Sequence, residues 1–261
     1  MKELEDVSNI LVIGQFENTP KRRNETSPDL VIDIRLAVGI LLYCYRGGTK
    51  KQRHSNKRIF LYNTNNLKMI AYRKEKIDNA ICFFATEHQK KSGKPLTQTY
   101  LYKYLAFLDF LSVEKMGIPA LDLEYRAMPW GPVPHKLYNE RKSLKTDLYE
   151  FIDMGNEIFV IRPKAHADLI YFSEFERDIM NQLISRYATH YGRANEISED
   201  SHKKIRAYDK TYKIRKNGII NYILTFNSNP YLKPRENRTQ AEDAYVIYDS
   251  LKQARKCTRE K

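Results

Sequence analysis

The sequence predicts a mainly α-helical protein of the α+β class, a compact helical domain with a small antiparallel β element. Three observations favour this class. Apolar residues recur at helical spacing within the segments 75–115 and 173–192. Two β-rich runs, 148–153 and 158–162, flank the turn-forming pair Gly155-Asn156, which is typical of a β-hairpin. A hydrophobic fraction of 42% is that of a globular chain and not of a disordered one.

The chain length of 261 residues accommodates one large domain, or one ordinary domain with an appendage. Residues 69–261 are predicted to form the helical domain, and residues 1–68 an N-terminal extension of uncertain fold. The longest apolar run, Leu36–Tyr45, has ten residues, whereas a membrane-spanning helix needs about 20. The N-terminus lacks a signal-peptide pattern. We therefore expect a soluble, cytoplasmic protein without a membrane partner.

The net charge of +13 indicates an acidic partner, either a nucleic acid or an acidic protein. Two dense basic runs contribute to it. The run Arg46–Arg58 carries no aromatic residue and fits either a nucleic-acid arm or a solvated linker. The second run follows His202, and its interleaved tyrosines suit single-stranded nucleic acid or an acidic protein surface equally. The predicted nucleic-acid contacts are Lys203, Lys204, Arg206, Lys213, Arg215 and Lys216.

The most distinctive stretch joins a strand pattern to a proline-rich corner and a helix. Leu121, Leu123, Tyr125 and Ala127 alternate with polar residues, which predicts a half-buried strand over residues 121–127. Three prolines and Gly131 follow, and because proline lacks an amide hydrogen we expect no β ladder there. Apolar residues then return at helical spacing, which predicts a helix over about residues 133–143.

This corner also carries a family resemblance. Gly131-Pro-Val-Pro134 after a short strand resembles the corner of the Panacea antitoxin domain, the SocA/GepA-like family of small, mostly helical proteins. The helix Tyr100–Phe110, closed by a glycine turn at Gly117, is similar to the family's second helix. Asp200-Ser-His202 resembles its Ser-His element, although Tyr208 stands where the family usually has tryptophan. The resemblance spans residues 70–212.

The resemblance implies an antitoxin that neutralises a separately encoded protein toxin by direct contact. Family members are paired with toxins of unrelated chemistry, so the chemistry of the toxin and the stoichiometry do not follow. The candidate partner-binding residues are Tyr125, Trp130, Val133, His135, Tyr138, His202 and Tyr208. The candidate structural residues of the motif are Asp109, Gly131, Pro132, Pro134 and Ser201.

For several of these residues, two interpretations stay open. Trp130 and Tyr125 can be binding residues or core anchors that lock the strand to the helix. Asp109, flanked by Leu108 and Phe110, is either an outward-facing carboxylate or a buried partner for a hydroxyl or a cation. The alternative function is a nucleic-acid-binding transcriptional regulator that uses the basic runs.

The sequence shows no catalytic or metal-binding motif. It contains no phosphate-binding glycine loop, no His-Glu-x-x-His and no Gly-x-Ser-x-Gly, and its six histidines are scattered. The three cysteines are far apart, which predicts neither a zinc site nor a disulfide framework. We therefore expect a binding protein without enzymatic activity or cofactor.

Overall fold

The computed structural model of the protein describes residues 70, 72–189 and 194–259. The chain divides into two compact units, and one of them, Lys68–Asp249, contains the structure discussed below. Of the other unit, the described part is the end of the last helix, residues 250–259. The predicted N-terminal extension, residues 1–68, and its basic run lie outside the described residues, so its separation from the helical domain stays a prediction.

The described residues contain seven α-helices and five strands, so the predicted mainly helical α+β class is confirmed. The helices are α1 Arg73–Ser92, α2 Gln98–Met116, α3 His135–Glu140, α4 Glu174–Tyr187, α5 Ala194–Lys204, α6 Arg206–Ile214 and α7 Gln240–Arg259. The strands are β1 Leu96–Thr97, β2 Tyr125–Met128, β3 Gly131–Pro134, β4 Tyr149–Asp153 and β5 Phe159–Pro163. Short 3-10 turns lie at Leu169–Tyr171, Tyr222–Thr225, Pro230–Leu232 and Arg235–Asn237.

Helix α2 is the centre of this unit. Every residue from Tyr100 to Phe110 is buried, which is the pattern of a helix surrounded by other elements on all sides. Helices α1, α4 and α5 pack against it. The helix ends at Gly117, which has a φ of 76° and lies so close to α7 that a Cβ atom would be 2.1 Å from the carbonyl oxygen of Ala241. Only glycine fits this turn.

The predicted hairpin is present as β4 and β5. These strands pair antiparallel, with Phe151 opposite Ile161, and the left-handed residues Gly155 and Asn156 form part of the turn. The two-residue strand β1, which the sequence did not suggest, adds to β5 and completes a three-stranded sheet in the order β1-β5-β4.

The predicted strand begins later than expected. The burial alternation over residues 121–127 is correct, but the ladder begins only at Tyr125. The preceding amides of Leu121 and Leu123 donate to the carboxylate of Asp109, and Asp122 adopts a φ of 53°. These residues are therefore held by a side chain of α2 and not by a neighbouring strand.

The expectation that the prolines interrupt the ladder is wrong. Residues 131–134 form β3, which pairs antiparallel with β2 and places Pro132 opposite Ala127 and Pro134 opposite Tyr125. Tyr125 and Ala127 turn their backbone hydrogen-bonding groups to the other side, where they bond to residues 217, 218 and 220. Proline is tolerated at these positions because no amide donor is required there. The predicted helix over 133–143 is shortened to α3: residues 133 and 134 belong to β3, and the helix ends at Glu140.

Candidate partner-binding surface

A row of side chains crosses the outer face of the small sheet formed by β2 and β3. Val133 lies directly opposite Arg126, and Arg126 forms an antiparallel bridge with Ile219 on its other side. Directly opposed residues project from the same face of a sheet. Tyr125 and Ala127 project from the other face and are completely buried. The row Val133-Arg126-Ile219 therefore lies on the opposite face of the sheet from Tyr125 and Ala127, and at one end of the row Val133 is half-buried and packs against the core.

Trp130 lies in the tight turn between β2 and β3, and 71% of its surface is exposed. Ile219 is 56% exposed, so two large apolar side chains of this region are in contact with solvent. Trp130 is a surface residue and not a core anchor. We define the corner surface as Arg126, Met128, Trp130, Val133 and Ile219.

Gly131 allows the corner to pack closely against helices α2 and α5. Its φ is +103°, and a Cβ atom on it would lie 2.5 Å from Ser201 Oγ and 2.7 Å from Lys103 Cε. Any side chain would therefore collide with α5 and α2 at once. Pro132, Pro134 and Ser201 are buried beside it, as their predicted structural role requires. The backbone of the corner is held tightly between two helices.

Lys103 is the residue that sequence reasoning missed. Its side chain is buried, and its Nζ donates to the carbonyl oxygen of Pro132 over 3.3 Å. Burial lowers the pKa of Lys103 to about 7, because a charged ammonium loses its hydration in the core. A signal was available: Lys103 is the sole cation of α2 before Lys115, in a segment that is otherwise apolar.

Asp109 is the buried partner of hydroxyls and amides, so the outward-facing alternative is wrong. It is completely buried. Its carboxylate accepts bonds from the backbone N–H groups of Leu121, Asp122 and Leu123 and from the hydroxyls of Tyr125 and Tyr222, over 2.6 to 3.2 Å. Burial raises the pKa of Asp109 to about 6, although these hydrogen bonds act in the opposite direction. The carboxylate thereby holds the chain that leads into β2.

His202, Tyr208 and Tyr212 form a stack that attaches α5 and α6 to the corner. The rings of His202 and Tyr208 are 4.7 Å apart, and those of Tyr208 and Tyr212 are 5.5 Å apart. The Tyr208 hydroxyl donates to the carbonyl oxygen of Met128 over 2.8 Å, and His202 Nε2 lies 3.2 Å from the same hydroxyl. Because a hydroxyl has one proton, His202 Nε2 is the donor in that contact. Burial, and then the charge of Lys103, lower the pKa of His202.

The predicted partner-binding residues do not all reach the surface. Tyr125 is completely buried and Tyr208 is 1% exposed, so both position the corner and offer no area to a partner. In α3, the ring of Tyr138 packs under the Arg141 guanidinium at 3.9 Å. His135 lies beside Asn139, with 3.3 Å between the imidazole Nε2 and the amide Nδ2.

Half of the predicted nucleic-acid contacts form ion pairs within the protein. Lys203 pairs with Glu199, Lys204 with Asp200 and Lys213 with Asp209, each at a spacing of four residues along a helix. Lys216 lies over the Tyr212 ring at 5.8 Å. The remaining three residues, Arg206, Arg215 and Lys216, are exposed.

Lys103 and Ser201 are the residue types of a lysine base and a serine nucleophile, but their burial does not suit catalysis. Lys103 and Ser201 both approach Gly131, and a neutral lysine can activate a serine. Both side chains are buried, however, and the Ser201 hydroxyl donates to the carbonyl oxygen of Ser198 over 2.7 Å. A substrate has no access to this pair, so we assign it a structural role.

A cavity of about 230 Å³ lies between the end of α2 and the α5–α6 junction, with Phe107, Phe226 and Arg206 among its lining residues. It is smaller than the roughly 300–1,000 Å³ of ordinary small-molecule sites. Within 72–189 and 194–259, no group of three or more His, Cys, Asp or Glu side chains is arranged to hold a metal ion.

None of the helices in the described segments is both long and apolar enough to span a lipid bilayer.

Comparison with known families identifies the part of the chain that carries this corner. Residues 101–207 match the family described as antitoxin SocA-like, Panacea domain. The match begins in α2, includes β2, β3 and the Ser201-His202 element, and ends in α6. The resemblance seen in the sequence is therefore confirmed for these residues, and it supports an antitoxin role. The comparisons with curated proteins and with solved structures found no match.

Proposed function

We propose that this protein is a cytoplasmic antitoxin that neutralises a cognate protein toxin by direct binding, with the corner surface as its contact face. The match of residues 101–207 to the SocA-like Panacea domain supports the class of function. The observation that supports the contact face is the 71% exposure of Trp130 on a turn whose backbone is fixed from behind. Tryptophan is among the residue types that dominate binding energies at protein interfaces.

The rigidity of the corner favours binding. Lys103 and Gly131 are packed against each other, and the two prolines of β3 restrict the backbone further. A surface that is ordered before association loses less conformational entropy when the partner binds. Neutralisation by occlusion requires burial of about 1,600 Å² in total over the active site or substrate entry of the toxin.

The charge of the protein favours an acidic toxin. A net charge of +13 accelerates encounter with a partner of opposite sign. We further propose that neutralisation involves no bond making or breaking and no cofactor, and that the antitoxin acts by contact alone.

Co-expression tests this function. The protein encoded by the adjacent reading frame is expressed alone and together with this chain, and growth is measured with both proteins quantified. We expect growth arrest by the neighbour alone, relief by this chain, and a complex that co-purifies. A neighbour that is harmless alone, or relief without any complex, contradicts direct neutralisation.

A second candidate is a nucleic-acid-binding regulator, which the exposed cations Arg206, Arg215 and Lys216 favour. Such binding relies on phosphate contacts, so the logarithm of its affinity falls steeply with the logarithm of the salt concentration. Titration of the gene's own promoter DNA at several salt concentrations measures this slope. Absence of binding at low salt removes this candidate.

A further inference from the structure

Two segments without acidic residues meet at the corner surface. Residues 125–139 and 210–235 contain no Asp or Glu. They run side by side because Arg126 bridges Ile219. The acids that border the two segments are Glu124, Glu140, Asp209 and Glu236, and the Asp209 carboxylate is paired with Lys213. The meeting point of the two segments is therefore positively charged, with Arg215 and Lys216 exposed beside it.

The same meeting point has an open backbone edge. The amide of Ala127 donates to Gly218, and the amide of Ile220 donates to Tyr125. These two bonds flank the Arg126–Ile219 bridge, so Arg126 and Ile219 form a non-hydrogen-bonded pair. The N–H and C=O of Ile219 consequently point away from β2. Within the described part of the chain, neither group forms a hydrogen bond.

We infer that the Ile219 edge, together with the corner surface, binds an extended acidic segment of the toxin, which adds as a short strand beside residues 217–221. This inference rests on the proposed antitoxin function and specifies how the partner is recognised. A partner residue opposite Ile219 exchanges two backbone hydrogen bonds with it, as in other complexes formed by strand addition.

The side chains determine which segment fits. Carboxylates of the added segment lie near Arg126, Arg215 and Lys216, and the absence of acids from both segments removes like-charge repulsion. Apolar residues of the segment contact Ile219 and Trp130, which are the most exposed apolar members of the corner surface.

The edge is short, so its side chains must contribute much of the affinity. Asn217 has a φ of 60° and ends the extended segment on one side. The 3-10 turn Tyr222–Thr225 ends it on the other side. A short edge of this kind limits unselective strand pairing, since few backbone groups are offered without the matching charges.

The first test removes the outward amide. Ile219→Pro eliminates the N–H that faces the partner and leaves intact the two bonds to β2, from the Ala127 amide to Gly218 and from the Ile220 amide to Tyr125. Gly218 lies outside helix α6 and outside the turn at residues 216–217, so it is not held in the α conformation that a following proline disfavours. With the purified product of the adjacent reading frame as the probe, we expect the dissociation constant to rise about tenfold or more. Ile219→Ala separates the loss of the side chain from the loss of the amide.

The second test reverses the charges and does not disturb the backbone. The double variant Arg215→Glu/Lys216→Glu is compared with Lys90→Glu/Lys91→Glu, which changes the net charge equally at the end of α1. We expect association to slow about tenfold or more only in the first variant, and the salt dependence of its association rate to flatten. Circular dichroism and thermal melting verify the fold of each variant.

Hydrogen exchange provides a readout independent of neutralisation. The Ile219 amide is expected to exchange rapidly in the free protein and slowly in the complex. If the wild type binds the toxin, but Ile219→Pro and the charge reversals bind it equally well, this inference is overturned and the antitoxin function stands. If the Ile219 amide is already protected in the free protein, its edge is occupied by the chain itself and the inference also fails. If the wild type does not bind, both fail.

Discussion

The hydroxyl of Tyr222, which follows Asp109 by 113 residues, shares its proton between the Asp109 carboxylate at 3.1 Å and the Leu123 carbonyl oxygen at 2.6 Å. Asp109 belongs to the buried helix α2, and Tyr222 begins the turn that follows the open edge at Ile219. The same carboxylate holds the amides that lead into β2. One buried charge therefore fixes both segments that meet at the corner surface.

Replacing Asp109 by Asn should destabilise the protein by about 2–4 kcal/mol. Five donors then lose a charged acceptor, and the NH2 group of Asn places a further donor opposite them. The measurement is the free energy of unfolding in urea near pH 7.5. The exposed Asp178→Asn on α4 is the matched control and should change stability by less than about 0.5 kcal/mol. Equal stabilities for the two variants would show that the carboxylate does not organise the corner.

Replacing Gly131 by Ala should be much more costly than replacing Gly155 by Ala. Both glycines have a positive φ, so both substitutions strain the backbone. At Gly155 nothing lies within 4 Å of the added Cβ, whereas at Gly131 the Cβ meets Ser201 and Lys103 below 3 Å. We expect a loss of about 1 kcal/mol at Gly155 and about 3 kcal/mol or more at Gly131.

The comparison of these two variants by thermal melting isolates the packing of the corner from backbone strain. In the double variant Gly131→Ala/Ser201→Ala, part of the loss should be recovered, because the colliding Oγ atom of Ser201 is removed. Similar melting temperatures for the Gly131 and Gly155 variants would contradict the close approach of the corner to the helices.

Local patterns in the sequence predict the long helices α1, α2 and α4 and the β4–β5 hairpin. The apolar stripe of α1 and the alternation Leu121-Leu123-Tyr125-Ala127 depend on neighbours a few residues apart, and the burial of these residues confirms both. The turn chemistry at Gly155 likewise determines the β4–β5 pairing locally. These features require no knowledge of the distant parts of the chain.

The candidate site depends on contacts that the sequence does not reveal. The prolines could enter a strand because Tyr125 and Ala127 bond to the distant segment 217–220, which no local rule indicates. The burial of Lys103 against the corner also depends on a carbonyl 29 residues away. By residue type alone, Trp130 could be a core or a surface residue, and only the folded structure shows that 71% of it is exposed.

The stability of the protein should depend on pH through Lys103. Its folded-state pKa is lowered to about 7, below its ordinary value of 10.5. Between these values the unfolded chain binds more protons than the folded one, so this group makes the protein more stable as the pH rises. Unfolding free energies of the wild type and Lys103→Met should therefore diverge with pH, by at most about 1.4 kcal/mol for each unit.

The unfolding free energies are best compared between pH 7 and pH 9, where the tyrosine hydroxyls remain protonated. The wild type should gain about 2 kcal/mol relative to Lys103→Met across this window. Lys90→Met, which replaces an exposed lysine of α1, should run parallel to the wild type. Parallel curves for all three proteins would show that the Lys103 amine stays protonated in the fold.

Trp130→Ala should weaken toxin binding without affecting the fold. The side chain is 71% exposed, so its removal leaves no cavity and should change the free energy of unfolding by less than about 1 kcal/mol. A tryptophan at the centre of an interface contributes about 2 kcal/mol or more, so the dissociation constant should rise about thirtyfold or more. Calorimetry with the purified product of the adjacent reading frame measures it. The matched control is Ile170→Ala, which removes an apolar side chain with 78% exposure outside the corner surface. If both variants bind equally well, the toxin contacts another face; if only Trp130→Ala binds weakly, the corner surface is the contact face.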